Sequence, residues 1–199
     1  MNPRILIALV LLCVFALGAT VLAATREDSA DEALSASSGF AGAIMPKGLK
    51  APDFELTNQQ GDPISMQGLR GRPVIVTFLY THCEDTCPAQ AQVVKGALAE
   101  LDDPVPAIAI AVDPPNDTEE SAKSFLAKQR VAGLDFVLGS KAELQRLWKG
   151  FAIRPQTITE EHQARMTLVD ARGFQRIGYP GSEATPERIA HDIRLLERE

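Results

Sequence analysis

Val74-Ile75-Val76-Thr77-Phe78-Leu79-Tyr80, running straight into Thr81-His82-Cys83-Glu84-Asp85-Thr86-Cys87-Pro88, is the stretch on which the fold of this chain turns. Its first part is nearly all β-branched or aromatic, which marks a strand covered on both faces, as in a parallel sheet. Its second part is polar, and Pro88 suits the first turn of a helix because its φ is already fixed near the helical value. Val93, Val94, Ala97, Leu98 and Leu101 then recur at helical spacing. A buried strand therefore passes into a helix through a short loop that carries two cysteines.

Similar units follow. Val105 to Val112 reads as a second buried strand, and Asp117-Thr118-Glu119-Glu120 has the spacing of a capping box before a helix with Ala122, Phe125, Leu126 and Gln129. Leu134 to Leu138 is a short strand, and Ser140 caps a helix that carries Leu144, Leu147 and Trp148 and ends at Gly150. Ala164 to Val169 and Gln175 to Tyr179 flank Asp170-Ala171-Arg172-Gly173, a hairpin signal. Pro186 opens a last helix with Ile189, Ile193 and Leu196. Upstream, Pro52 to Thr57 alternates apolar with polar before the turn residues Asn58 to Asp62, which predicts a strand pair. The order gives an α/β fold: a thioredoxin-like mixed sheet flanked by helices, with extra N-terminal strands and a C-terminal β-hairpin plus helix.

The chain has 199 residues, 20 Lys+Arg against 26 Asp+Glu, 45% hydrophobic content and three cysteines. A net charge of −6 argues against a nucleic-acid binder, which would show a basic face. The absence of any internal repeat argues against a solenoid, and three cysteines are too few for a disulfide-built scaffold. Ile5 to Ala24 is free of charge, and at that length it spans roughly 30 Å, the thickness of a bilayer's hydrocarbon core. Residues 1–24 are read as a membrane anchor, with a cleaved signal segment as the other reading, since Val21-Leu22-Ala23 offers a cleavage site. Arg4 on the short leading side favours a cytoplasmic N-terminus. Without an organelle-type transit pattern, the setting is a bacterial inner membrane with the domain facing the periplasm. Residues 25–50, rich in Ala, Ser and Gly, read as a flexible tether with a reach of about 25–30 Å, and 51–199 as the folded domain.

The chemistry concentrates at Cys83 and Cys87. A spacing of i to i+4 sets both sulfurs on one side of a turn, and a helix N-terminus favours thiolate over thiol. Thiolates serve disulfide exchange and also select Cu(I), and the motif alone leaves both uses open beside a structural disulfide. His82 is a candidate tuner of the cysteines or a solvated neighbour. Asp113 ends a strand near the expected site, with Asp113-Pro114-Pro115-Asn116 turning the chain and Asp117 capping the next helix. His191 reads as a surface residue, and Trp148, Phe125 and Phe151 as core.

Tyr80 to Pro88 (YTHCEDTCP), followed by Val112 to Thr118 (VDPPNDT) and by a histidine ahead of a strand, resembles the SCO/SenC family of thioredoxin-like, membrane-anchored copper proteins. The resemblance covers most of residues 50–199 and the anchor-and-tether layout. It implies a metallochaperone, acting as a monomer, that helps to assemble the dinuclear copper centre of cytochrome c oxidase, with the copper-accepting oxidase subunit as its partner. It also implies a copper ligand set of Cys83, Cys87 and His162; the histidine follows from register with Gln163-Ala164-Arg165-Met166 and the strand after it. Here Glu161 stands where the family usually has Asp, and the stretch from Trp148 to His162 is shorter than the family's. A thiol–disulfide oxidoreductase that uses Cys83 and Cys87 as a redox pair is the alternative, and a thiol peroxidase is a third reading.

Overall fold

The computed structural model describes residues 39–153, 165–180 and 183–199. Along them run β1 (Ala43–Ile44), β2 (Glu55–Thr57), β3 (Pro63–Ser65), β4 (Val74–Leu79), α1 (Thr86–Glu100), β5 (Ala107–Ala111), α2 (Glu119–Gln129), β6 (Leu134–Val137), α3 (Lys141–Gly150), β7 (Arg165–Val169), β8 (Gln175–Pro180) and α4 (Pro186–Leu196). One six-stranded sheet has the order β1-β8-β7-β4-β5-β6, and β2 and β3 form a separate antiparallel pair. β4, β5 and β6 are parallel neighbours, while β7 lies antiparallel along the other side of β4. This is the mixed α/β sheet that the sequence predicts, with the N-terminal strand pair and the C-terminal β7–β8 hairpin in the expected places.

Every residue of β4 and β5 is buried. The register sets Val76 beside Ile108 and Phe78 beside Ile110, while Thr77 lies beside Ala109. Since side chains alternate across a strand, the bulky residues of β5 gather on one face and its alanines on the other. The alanine face admits a helix closely: the Thr77 hydroxyl donates to Gln90 Oε1 of α1 at 2.8 Å. α1 also packs tightly on α4, where a Cβ at Gly96 would come within 2.7 Å of Pro186. On the other face Phe78 meets Phe151 edge-on, with ring centroids 5.5 Å apart. The Trp148 indole donates to the Ala111 carbonyl at 2.9 Å, so Trp148, Phe151 and Phe125 are core residues, all buried. Burying one such side chain is worth about 1.5–3 kcal/mol.

Two expectations change. Ser140 caps α3 in a full capping box with Glu143, as predicted, but the cap of α2 is Thr118, boxed with Ser121, and not Asp117. The tether also ends earlier than residue 50. Ala43 and Ile44 pair with Gly178 and Ile177 as an edge strand, and Lys50 bridges to Phe174. The physical reason is Asp192 of α4. Its fully buried carboxylate accepts the N–H of Ala41 at 2.7 Å and of Gly42 at 3.0 Å, together with the Tyr179 hydroxyl. Gly42 is required there, because a Cβ would come within 2.5 Å of Ile177. Small residues that read as linker composition are in fact what lets the backbone lie against the sheet. Residues 1–38, including the predicted anchor, lie outside the described residues; among the described residues no helix is long and apolar enough to cross a membrane.

Replacing Asp192 by Ala leaves the Ala41 and Gly42 amides without their acceptor and removes one of the two acceptors of the Tyr179 phenol. Asp192→Ala is therefore expected to lower the unfolding free energy by about 2–4 kcal/mol, read as a lower urea midpoint with an unchanged slope. An unchanged midpoint would mean that residues 41–44 are not held by this carboxylate.

Candidate functional site

α1 begins without the usual oxygen cap. Asp85 occupies the N-cap position, its side chain accepts no capping hydrogen bond, and the first turn carries no acidic residue. The first amides of a helix have no intrahelical acceptor and need one from outside. Cys83 supplies it: its Sγ accepts the Cys87 N–H at 3.2 Å and lies 3.7 Å from the Thr86 hydroxyl. A sulfur thus stands where Ser or Asp oxygens ordinarily stand, at the positive end of the helix.

Both cysteines are free thiols and both are buried, Cys83 with 8% and Cys87 with 0% of its surface exposed, although His82, Glu84 and Asp85 around them face solvent. The pair is chemically unequal. Burial works against ionisation of Cys83, but the Cys87 thiol, the Cys87 and Asp85 amides and the Tyr80 phenol all donate to its sulfur and bring its pKa down to about 7. Burial pushes the Cys87 thiol far up, and the hydrogen bond that it gives to Cys83 holds its proton further. Donation to Cys83, followed by burial, raises Tyr80 to about 12, so the phenol stays a donor. The arrangement is one incipient thiolate surrounded by donors, beside one thiol that keeps its hydrogen.

The loop that carries Cys83 is tied to the loop after β5. The ladder between the parallel strands continues past them, with the Val112 N–H on the Leu79 carbonyl at 3.1 Å. Asp117 then clamps the two loops. Its Oδ1 accepts the N–H and the hydroxyl of Thr81 at 2.8 and 2.9 Å, and its Oδ2 accepts the Asp113 N–H at 2.9 Å. Burial raises the pKa of Asp117 while these hydrogen bonds oppose the rise. Asp113 itself turns the chain as predicted: its carbonyl accepts the Asn116 N–H and its carboxylate the Asn116 amide.

The predicted site residues fare differently. Cys83 and Cys87 come together at the carboxyl end of β4, the edge where open α/β sheets place their sites. His82 turns outward, its Nδ1 3.1 Å from the Thr81 hydroxyl, and His191 is exposed on α4. His162 lies outside the described residues, and among the described residues no group of three or more His, Cys, Asp or Glu converges into a metal site. The two sulfurs are therefore the donors that the described residues offer, a soft pair suited to Cu(I). A cleft of about 400 Å³ opens beside them, between the Cys83 loop and α2, lined by Thr81, His82, Ser121, Phe125 and Lys128 among others. Sequence reasoning missed Tyr80 and Asp117. Asp117 and Thr118 both suit an N-cap by composition, and with Thr118 taking the cap in a box with Ser121, Asp117 turns inward.

The chain is similar to known proteins over most of its length. The family model described as SCO1/SenC matches residues 44–197. A putative copper-binding protein of Stutzerimonas stutzeri is 33% identical over 144 residues, which cover 67% of this chain and 70% of that protein. The structure of BsSco, a member of the Sco family of cytochrome c oxidase assembly proteins in which a disulfide switch was identified, superposes with a TM-score of 0.67 at 27% identity, covering 77% of this chain and 96% of that one. Bradyrhizobium japonicum ScoI with copper bound gives 0.60 at 28% identity, covering 74% and 99%.

The inequality of the two thiols has a pH signature. Alkylation by iodoacetamide is expected at Cys83 and not at Cys87, and its rate should rise through about pH 7 in place of the ordinary value of about 8.5. Peptide mapping after short exposure reads the site. Equal labelling, or a midpoint near the ordinary value, would contradict the donor arrangement around Cys83.

Proposed function

The chain belongs to the SCO1/SenC family, and from that premise we propose that it is a copper metallochaperone that assists assembly of the dinuclear copper centre of cytochrome c oxidase. The observation that carries this reading is the pair of free, hydrogen-bonded thiols at the uncapped start of α1, in a chain whose residues 44–197 match the family. A relative named as copper-binding and a family member solved with copper bound support it.

Copper is cargo here, held by Cys83 and Cys87 with His162 as the third ligand. Two thiolates and an imidazole make a three-coordinate set for Cu(I), and Cu(II) is accommodated with a further ligand or water. Loading displaces the Cys87 proton, because the metal binds thiolate. Two thiolates around one Cu(I) leave a net negative charge, which the α1 amides are placed to offset. The recipient is the copper-accepting subunit of the oxidase. Residues 1–24 anchor the monomeric protein in the bacterial inner membrane with its N-terminus in the cytoplasm, and the domain works in the periplasm; the uncharged run from Ile5 to Ala24 supports this placement.

A second reading is favoured by the same thiol asymmetry. Acting as a reductase of partner cysteines, the Cys83 thiolate attacks a partner disulfide and releases one partner thiolate. Cys87 then gives up its proton and attacks the mixed disulfide, so that the partner leaves as a dithiol and Cys83 and Cys87 become a disulfide. Two electrons pass to the partner. The oxidised pair cannot hold copper, so a molecule that has reduced a recipient loads copper only after an external dithiol reductant has returned Cys83 and Cys87 to thiols.

The two readings separate on one residue. The purified protein is expected to bind one copper with a sulfur-to-copper charge-transfer band in the Cu(II) form, and the Cys83→Ser/Cys87→Ser variant to lose both. His162→Ala should lose most of the copper affinity yet reduce a model disulfide at the wild-type rate. Copper retention by the double cysteine variant equal to wild type would remove the metallochaperone reading.

A further inference from the structure

Asp117 binds nothing in the reading above, yet the residue is only 5% exposed, and each of its carboxylate oxygens accepts a backbone amide. Neither of the local tasks around it requires that side chain. The turn after β5 is closed by the Asn116 N–H on the Asp113 carbonyl at 2.9 Å. The start of α2 is capped by Thr118 and Ser121, each serving the other's backbone. What the carboxylate does hold is a different part of the chain, the Thr81 amide and hydroxyl, two residues before Cys83.

We propose that Asp117 is the positioning residue of the copper-binding loop: it fixes Thr81 against the turn after β5 and so fixes Cys83 Sγ against the amides of α1. The proposal rests on the copper reading for its cargo and on the observed clamp for its geometry. The chain of contacts is short. Asp117 holds Thr81, Thr81 leads through His82 to Cys83, and the Cys83 sulfur accepts the Cys87 N–H at 3.2 Å. Thr81 is also braced from the α2 side, its hydroxyl lying 3.1 Å from Ser121 Oγ. Without the clamp the loop keeps its covalent path, but the sulfur loses its fixed distance to the helix start. Metal sites respond strongly to such supports, and loss of one typically lowers affinity about 10–100-fold.

A carboxylate is required because both oxygens must accept. Asp117→Asn offers one acceptor and one amide donor, so it can hold Thr81 or Asp113 but not both; Asp117→Ala holds neither. Ser140→Ala serves as the control, since it removes the cap of α3, whose hydrogen bonds to Glu143 involve none of Thr81, Asp113 and Asp117. The full-length protein is loaded with Cu(I), and its affinity is read by competition with a chromophoric chelator. The Cu(II) form is read by its charge-transfer band, and the metal-free protein by its rate of reaction with a model aromatic disulfide at fixed pH. Asp117→Ala is expected to weaken copper roughly tenfold or more, shift the band and slow the disulfide reaction, Asp117→Asn to fall between it and wild type, and Ser140→Ala to lower only the melting temperature. If Asp117→Ala does not fold, the isosteric Asp117→Asn carries the test alone. Wild-type copper affinity, band and disulfide rate in folded Asp117→Asn would overturn the proposal. If wild type itself retains no copper, the metallochaperone reading fails while the disulfide rate still decides whether Asp117 positions Cys83.

Discussion

The hydrogen bond from the Cys87 amide to the Cys83 sulfur is the constraint on which the rest of the site depends. It exists because α1 starts without an oxygen cap and its first amides must find an acceptor. In an ordinary helix that shortage is met by Ser, Thr or Asp. Here a thiol meets it, and a structural need of the helix becomes the force that stabilises a thiolate. A close sulfur pair follows, with one member drawn toward ionisation and the other held protonated in the interior.

The fold serves that contact at every level. Buried β4 and β5 run parallel and end side by side, so the loop with the cysteines and the loop with Asp113 and Asp117 leave the sheet at one edge. The alanines of β5 let α1 settle close, and the glycine at 96 lets α4 brace it from behind. Copper carriage and disulfide exchange draw on the same asymmetry. A soft cation takes both sulfurs once the second proton leaves, and a partner disulfide is attacked by the sulfur that ionises first. Both uses start from the reduced pair, so copper bound by the two sulfurs and attack on a partner disulfide compete for one site.

Much of this was legible in the residues, because strong local signals and the tertiary structure agree. The run Val74 to Leu79 is a buried strand, Ser140 and Pro186 begin helices, and Asp170 to Gly173 turn a hairpin. The failures occur where a local rule had two candidates or a distant partner decided. Asp117 and Thr118 both suit an N-cap, and which one turns inward is set by Thr81, 36 residues earlier. Ala41 to Ile44 carry linker composition, and only a buried carboxylate on the last helix makes them part of the sheet. The cysteines sit among solvated neighbours in the sequence, yet the helix draws both sulfurs inside. His162, assigned from register, lies outside the described residues.

X-ray absorption at the copper edge on the loaded protein tests the central claim most directly, because it counts the sulfurs around the metal. The account predicts a first shell with two sulfur scatterers and at least one lighter neighbour, falling to one sulfur in Cys83→Ser. A shell built from nitrogen and oxygen alone in the wild-type protein would contradict it.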